Sequence, residues 1–180
     1  MHVSRFIILF TLILVSPAIV TGFAQDLVDL DRQTPRGLRG VKVFPSVAED
    51  IEHAGLREDA VKTDTELRLR LAGIRVVDSD KDFTSTPGSP MLIVGVEGAS
   101  IGDTYGYHVC IYLSQTVLLE RDLSLRATGQ FRGQSFQADT WSTCVVGVAK
   151  GNPSEKIRST VKDLVDKFIN AYLSVNPKPK

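Results

Sequence analysis

Charge of one sign is what this sequence most conspicuously lacks. Lys and Arg together number 21 and Asp and Glu 21. No basic excess marks a nucleic-acid surface, and no Lys/Arg block is present to neutralise phosphates. Acidic and low-complexity tracts are missing too, which removes the composition of long disorder, and no internal repeat occurs. The GxSxG, HExxH and GxxxxGK[ST] patterns and the dinucleotide fingerprint are absent, so hydrolase, metallopeptidase and nucleotide chemistry have no motif behind them. There are 2 cysteines and 3 histidines, with no CxxC or HxxxH spacing. Past the N-terminal region, no apolar run is long enough to span a bilayer.

What is present suits one domain with an ordinary core: 180 residues, 43% of them hydrophobic. Residues 1–5 carry Arg5, and residues 6–20, FIILFTLILVSPAIV, are apolar apart from Thr11, Ser16 and Pro17. Gly22 and Ala24 are small residues two apart, as a signal peptidase prefers. The expectation is a signal peptide at residues 1–24 cleaved after Ala24. The competing reading, a membrane anchor, meets a run shorter than the roughly 20 residues a spanning helix needs, broken by Pro17. No cysteine near the cleavage point offers a lipid anchor. The chain is therefore expected in the periplasm or outside the cell, with no stable membrane span after cleavage.

Residues 25–36 read as a linker or loosely packed arm, residues 37–176 as a single α/β domain, and residues 177–180 as a tail. Residues 38–44 alternate around Val41 and Val43, a strand ended by Pro45. Residues 46–55 are ambiguous between a helical turn and an irregular edge. Residues 57–72 predict a helix with Ala60, Asp64, Leu67, Leu71 and then Ile74 near one face, ended at Gly73. IRVV at 74–77 follows as a strand, which makes a crossover to a parallel neighbour. Residues 78–90 are dense in turn formers. MLIVGVE at 91–97 reads as a central strand buried on both faces. Two long strands follow, at 105–119 and 140–148, with an excursion at 122–137 between them. Residues 152–175 predict an amphipathic helix that Asn152 caps, with Pro153 in its first turn and Asn176-Pro177 at its end. The expected fold class is α+β: a two-layer sandwich in the order β-α-β-β-β-β-α, with a mixed, mostly antiparallel five-stranded sheet and two helices on one face.

The cysteines bring the last two strands into register. If Cys110 faces Cys144 in an antiparallel pair, Leu113 faces Trp141 and Val109 faces Val145, so the apolar sets share a side. A slip of one residue would destroy the match. In an exported chain the two cysteines are expected to form a disulfide. His108, Tyr112, Ser114 and Ser142 fall on the opposite side, with Val146 and Val148, while Tyr107 falls on the core side.

Four sharper readings of these residues compete with plainer ones. A Cys–His nucleophile from Cys110 and His108 meets a spacing of about 6.6 Å between alternate strand residues, and a disulfide removes the thiol. A zinc site from His108, Cys110 and Cys144 has no supporting spacing. Anion binding at GVAKGN, residues 147–152, reads better as a plain turn. DSDKD at 78–82 resembles a calcium loop without its Gly and closing Glu, and reads as a solvated turn. Arg68, Arg70 and Arg75 read as a solvated helix end and strand edge, and His53 as a solvated loop residue. No metal or other cofactor is expected.

ELRLRLAGIRVV at 66–77, ADTWS at 138–142 and LVDKFINAYLSVNPK at 164–178 together resemble a group of small exported bacterial proteins of unknown function, with a signal peptide and one α/β domain. The resemblance implies an envelope or extracellular setting and assigns no residue a role. A looser analogy of fold links the chain to the small α/β accessory domains of bacterial envelope assembly proteins, and such an analogy does not assign function. The function expected is a non-catalytic module that binds an envelope or secreted protein or associates with itself, through the face carrying His108, Tyr112, Ser114, Ser142 and Val146. Binding of a small ligand or lipid is the alternative, and would need an apolar cavity between sheet and helices or under the excursion. A hydrolase is the remote third, for want of clustered acid, base and nucleophile.

Overall fold

The computed structural model describes residues 32–118 and 136–177. The expected signal peptide, the start of the arm, most of the 122–137 excursion and the tail after Pro177 lie outside these residues. In chain order the elements are β1 (Lys42–Val47), α1 (Glu49–His53), α2 (Glu58–Leu71), α3 (Asp80–Ser85), β2 (Met91–Ile101), β3 (Thr104–Val117), β4 (Phe136–Lys150) and α4 (Ser154–Val175). The fold is mixed α+β, with a sheet ordered β1-β2-β3-β4. β1 and β2 are parallel, and β2, β3 and β4 run antiparallel in turn.

The five strands and two helices expected become four strands and four helices among the described residues. The missing strand is IRVV. It lies beside the start of β1 in the expected parallel sense but makes only one bridge, Val41 to Val76. Val41 N–H donates to Arg75 O, and Val77 N–H to Val41 O. The turn after α2 leaves too little extended chain for more.

Pro45 does not end β1. Lys42 and Ala48 donate their N–H groups to Pro90 and Val96 at β2, whereas Val41 and Val47 donate away from it, to Arg75 O and Glu58 Oε1. Pro45 shares the parity of Val41 and Val47, so the N–H it lacks would have faced away from the sheet, where a proline is tolerated.

The core lies between the sheet and the pair α2 and α4. From the sheet it takes Val43, Leu92, Val94, Val96, Val109, Ile111 and Leu113, and from α4 Ile157, Val161, Leu164, Val165 and Phe168. The Trp141 and Phe168 rings meet edge-on at 5.4 Å. The helix expected at 57–72 is α2, but its inward face is Val61, Thr65 and Leu69. Leu67 and Leu71 are exposed. Two stripes one residue apart compete on this helix; the one with Val61 and Leu69 is buried, and residues of the other form ion pairs. Asp64 receives Arg158 at 2.8 Å and Arg68 meets Asp166 at 2.5 Å, across to α4. α4 matches its expected stripe, and Asn152 Oδ1 accepts the N–H of Ser154 at its start. At its end Asn176 ties down the N-terminal stretch: its Oδ1 accepts from Gly37 N–H at 2.7 Å and its Nδ2 donates to Pro35 O at 2.8 Å.

Candidate functional site

The side of the sheet away from α2 and α4 is where the sequence directs attention, and α3 divides it. The stretch expected as a plain loop at 78–90 contains this short helix, started by Ser79, whose hydroxyl accepts from Asp82 N–H. Phe83 packs edge-on against Phe44 at 6.3 Å, and Lys42 lies over both rings while its ammonium pairs with Asp80. Gly88 O accepts from Thr116 N–H. The acidic residues of DSDKD are thus ion-paired: Asp78 with Arg70, Asp80 with Lys42, Asp82 with Arg75. The three arginines read as solvated are paired as well, Arg68 with Asp166.

The segment holding α3 closes over this end of the face, which corrects the expected site at one position. Ser114 is 5% exposed and cannot serve as a docking residue. Beyond α3 the face is open. His108 and Tyr112 are half-buried and Ser142 is exposed. Val146 and Val148 are 79% and 68% exposed, and Ile101, at the end of β2, 87%. Tyr107 faces the core, as expected, with its ring over Gly147, where a Cβ would lie 2.4 Å from it. Gly147 therefore belongs to the packing of β4 rather than to an anion-binding turn.

The β3–β4 register sets Cys110 opposite Cys144, Leu113 opposite Trp141 and Val109 opposite Val145. Cys110 and Cys144 form a disulfide. Around it the polar groups converge. His108 Nε2 lies 3.0 Å from Cys110 Sγ, its Nδ1 lies 4.0 Å from Glu97 Oε2, and Tyr112 Oη lies 3.9 Å from Cys144 Sγ. The strand-spacing argument that kept His108 from the sulfur is overturned. Alternate Cα atoms are about 6.6 Å apart, but side chains lean along the strand, and the imidazole covers the distance. The His108, Cys110 and Cys144 ligand atoms lie within 4.8 Å of one another. With both sulfurs in a disulfide neither is the thiolate a zinc site uses.

Glu97 was missed in the sequence. Its signal is readable only after β2 and β3 are registered, because Glu97 then stands directly opposite His108. His53 ends α1 as an exposed side chain 4.0 Å from Glu49. An open groove of about 540 Å³ runs between α2 and α4, lined partly by Leu67, Leu71 and Ile169. Its lining comes from α2, with Ala72 just after it, and α4, and from no strand of the sheet.

No protein-family model matches the chain, and no curated protein matches it. Among solved structures, a PelC variant dodecamer from Paraburkholderia phytofirmans is similar at a TM-score of 0.39 and 18% identity, over 77% of this chain and 92% of that one. A likeness of that size assigns no function.

Proposed function

We propose that this protein is exported and non-catalytic, and that it works as an assembly module by pairing β4 of one copy with β4 of a second. The observation that carries this reading is the character of β4 as an edge. Residues 141–149, WSTCVVGVA, contain no charge and no proline, and among the described residues β4 has a strand neighbour on one side only. Unpaired N–H and C=O groups on such a strand are a template for another chain.

The backbone geometry supports one register. The Cα atoms of Cys110 and Cys144 are 4.2 Å apart, the narrow spacing of a pair that exchanges no hydrogen bonds. The peptide groups of Cys144 therefore point to the open edge, as do those of Ser142, Val146 and Val148 by the period of two. A two-fold axis at Val145 then sets Cys144 of one copy against Val146 of the other, and Ser142 against Val148. Lys150 reaches the bulge near Asp139, where the β3 pairing jumps between Leu113 and Ser114. Opposite charges meet at both ends, and the exposed valines of the two copies become one patch.

Sedimentation equilibrium of the protein purified from cells that export it tests this. A dimer is expected at micromolar concentration, and Val146→Lys should yield a folded monomer, since Val146 is 79% exposed in the single copy. A wild-type monomer across that range overturns the reading.

A further inference from the structure

We propose that the Cys110–Cys144 bridge is an exchange-active disulfide: an incoming thiolate attacks Cys144, and Cys110 leaves as a thiolate stabilised by His108. The two sulfurs are not equivalent. Cys144 is exposed, whereas Cys110 is 3% exposed, so an attacking thiolate reaches Cys144 first. The leaving group is then Cys110, and its sulfur is the one with the imidazole Nε2 at 3.0 Å. Exchange accelerates as the leaving thiolate is stabilised, and a cationic imidazole beside a sulfur does this. Glu97 Oε2, 4.0 Å from Nδ1, is placed to pair with the other N–H of the ring. Directly across from His108 on β4 stands the uncharged Val146, and Tyr112, on the same face of β3, has its hydroxyl 3.9 Å from Cys144 Sγ.

The co-reactant is a dithiol. Its first sulfur, as thiolate, bonds to Cys144 Sγ. The Cys110–Cys144 bond breaks, and its electron pair goes to Cys110 Sγ, which accepts a hydrogen bond from protonated Nε2. The second sulfur of the dithiol then attacks the mixed disulfide, closes the oxidised reagent and releases Cys144 as a thiolate. The protein gains two electrons, the dithiol loses two, and its two protons end on the cysteines or in solvent. The Cys144 side chain stands on the sheet face rather than along the edge, so β4 pairing leaves it reachable, and the step needs no second copy.

Two measurements on the full protein test the site. In the first, 2-mercaptoethanol is added, the reaction is quenched early with iodoacetamide, and the adducts are located by mass spectrometry. The mercaptoethanol adduct is expected on Cys144 and the alkyl group on Cys110; the reverse assignment overturns the proposal. In the second, the rate of reduction by dithiothreitol, corrected for reagent thiolate, is followed against pH. His108→Gln should slow it about tenfold, the size expected from losing one hydrogen bond to the departing sulfur. Equal rates at every pH, with the bridge intact in both proteins, also overturn it.

Discussion

The two edges of the sheet are finished in opposite ways. At β1, Val41 is bridged by Val76, the outward N–H of Val47 is taken by Glu58, Pro45 has no N–H to offer, and α3 covers the adjoining face with Phe83 and Lys42. These are the means by which proteins keep a strand edge from pairing with another chain. At β4 none of them is present among the described residues from 141 to 149. Among the described residues, one edge is guarded in four ways and residues 141–149 of the other in none. The contrast is what gives the β4 reading its weight. It also shows where each edge draws its stability: β1 from hydrogen bonds and packing by elements outside the sheet, β4 from β3, α4 and a covalent bridge.

The largest effect should come from cutting that bridge. Cys110→Ala with Cys144→Ala frees a loop spanning a sequence separation of 34, which by chain entropy should cost roughly 3–4 kcal/mol. Urea unfolding monitored by the fluorescence of Trp141 measures it. A loss under about 1 kcal/mol would mean that the β4 ladder and the Trp141–Phe168 contact hold the strand unaided, and the edges would then be less different than argued.

Most of the fold around the bridge was readable beforehand because two independent patterns agree there. Apolar alternation and cysteine position give the same β3–β4 register, and α4 has one unambiguous stripe with a cap before it. What escaped reading was decided by partners distant in sequence. Leu67 and Leu71 look like a core stripe of α2 until Asp64 and Arg68 are seen reaching Arg158 and Asp166. Pro45 reads as a stop until the parity of β1 shows that its missing N–H would have faced away from β2. Ser114 shares a face with His108, but only the placement of α3 and the turn after it tells that one is covered and the other open. His108 and Cys110 were set apart by backbone spacing, and rotatable side chains close that distance.

A smaller effect is expected at the guarded edge. Glu58→Ala removes the acceptor 3.0 Å from Val47 N–H. A part-buried hydrogen bond to a carboxylate should be worth about 1.5–3 kcal/mol. Amide hydrogen exchange separates this from a general loss of stability: the Val47 amide should exchange faster in the variant by more than its core neighbours do. The Val146 amide should not change. If Val47 and Val146 respond alike, β1 is not locally guarded by Glu58.

The smallest effect is a pH dependence confined to α3. The Lys42 ammonium, by hydrogen bond and then by charge, holds the Asp80 carboxyl below the usual carboxylate range. A carboxyl lowered in the folded state contributes stability above its unfolded value of about 3.9 and loses it as pH falls through the folded value. Asp80 is highly exposed, so solvent screens the pair and the global midpoint should barely move. The local consequence should still be visible, because Lys42 also lies over Phe44 and Phe83. Below about pH 4, the amides following Asp80 in α3 should exchange faster, and the Phe83 ring resonances should move toward free values. In Lys42→Met both changes should be absent across the acid range. Residues 141–149 contain no titratable group outside the bridge, so the protection of their amides should change far less than that of α3. An acid transition of α3 that persists in Lys42→Met would trace its hold on the sheet to another contact, Arg75 with Asp82 being the nearest.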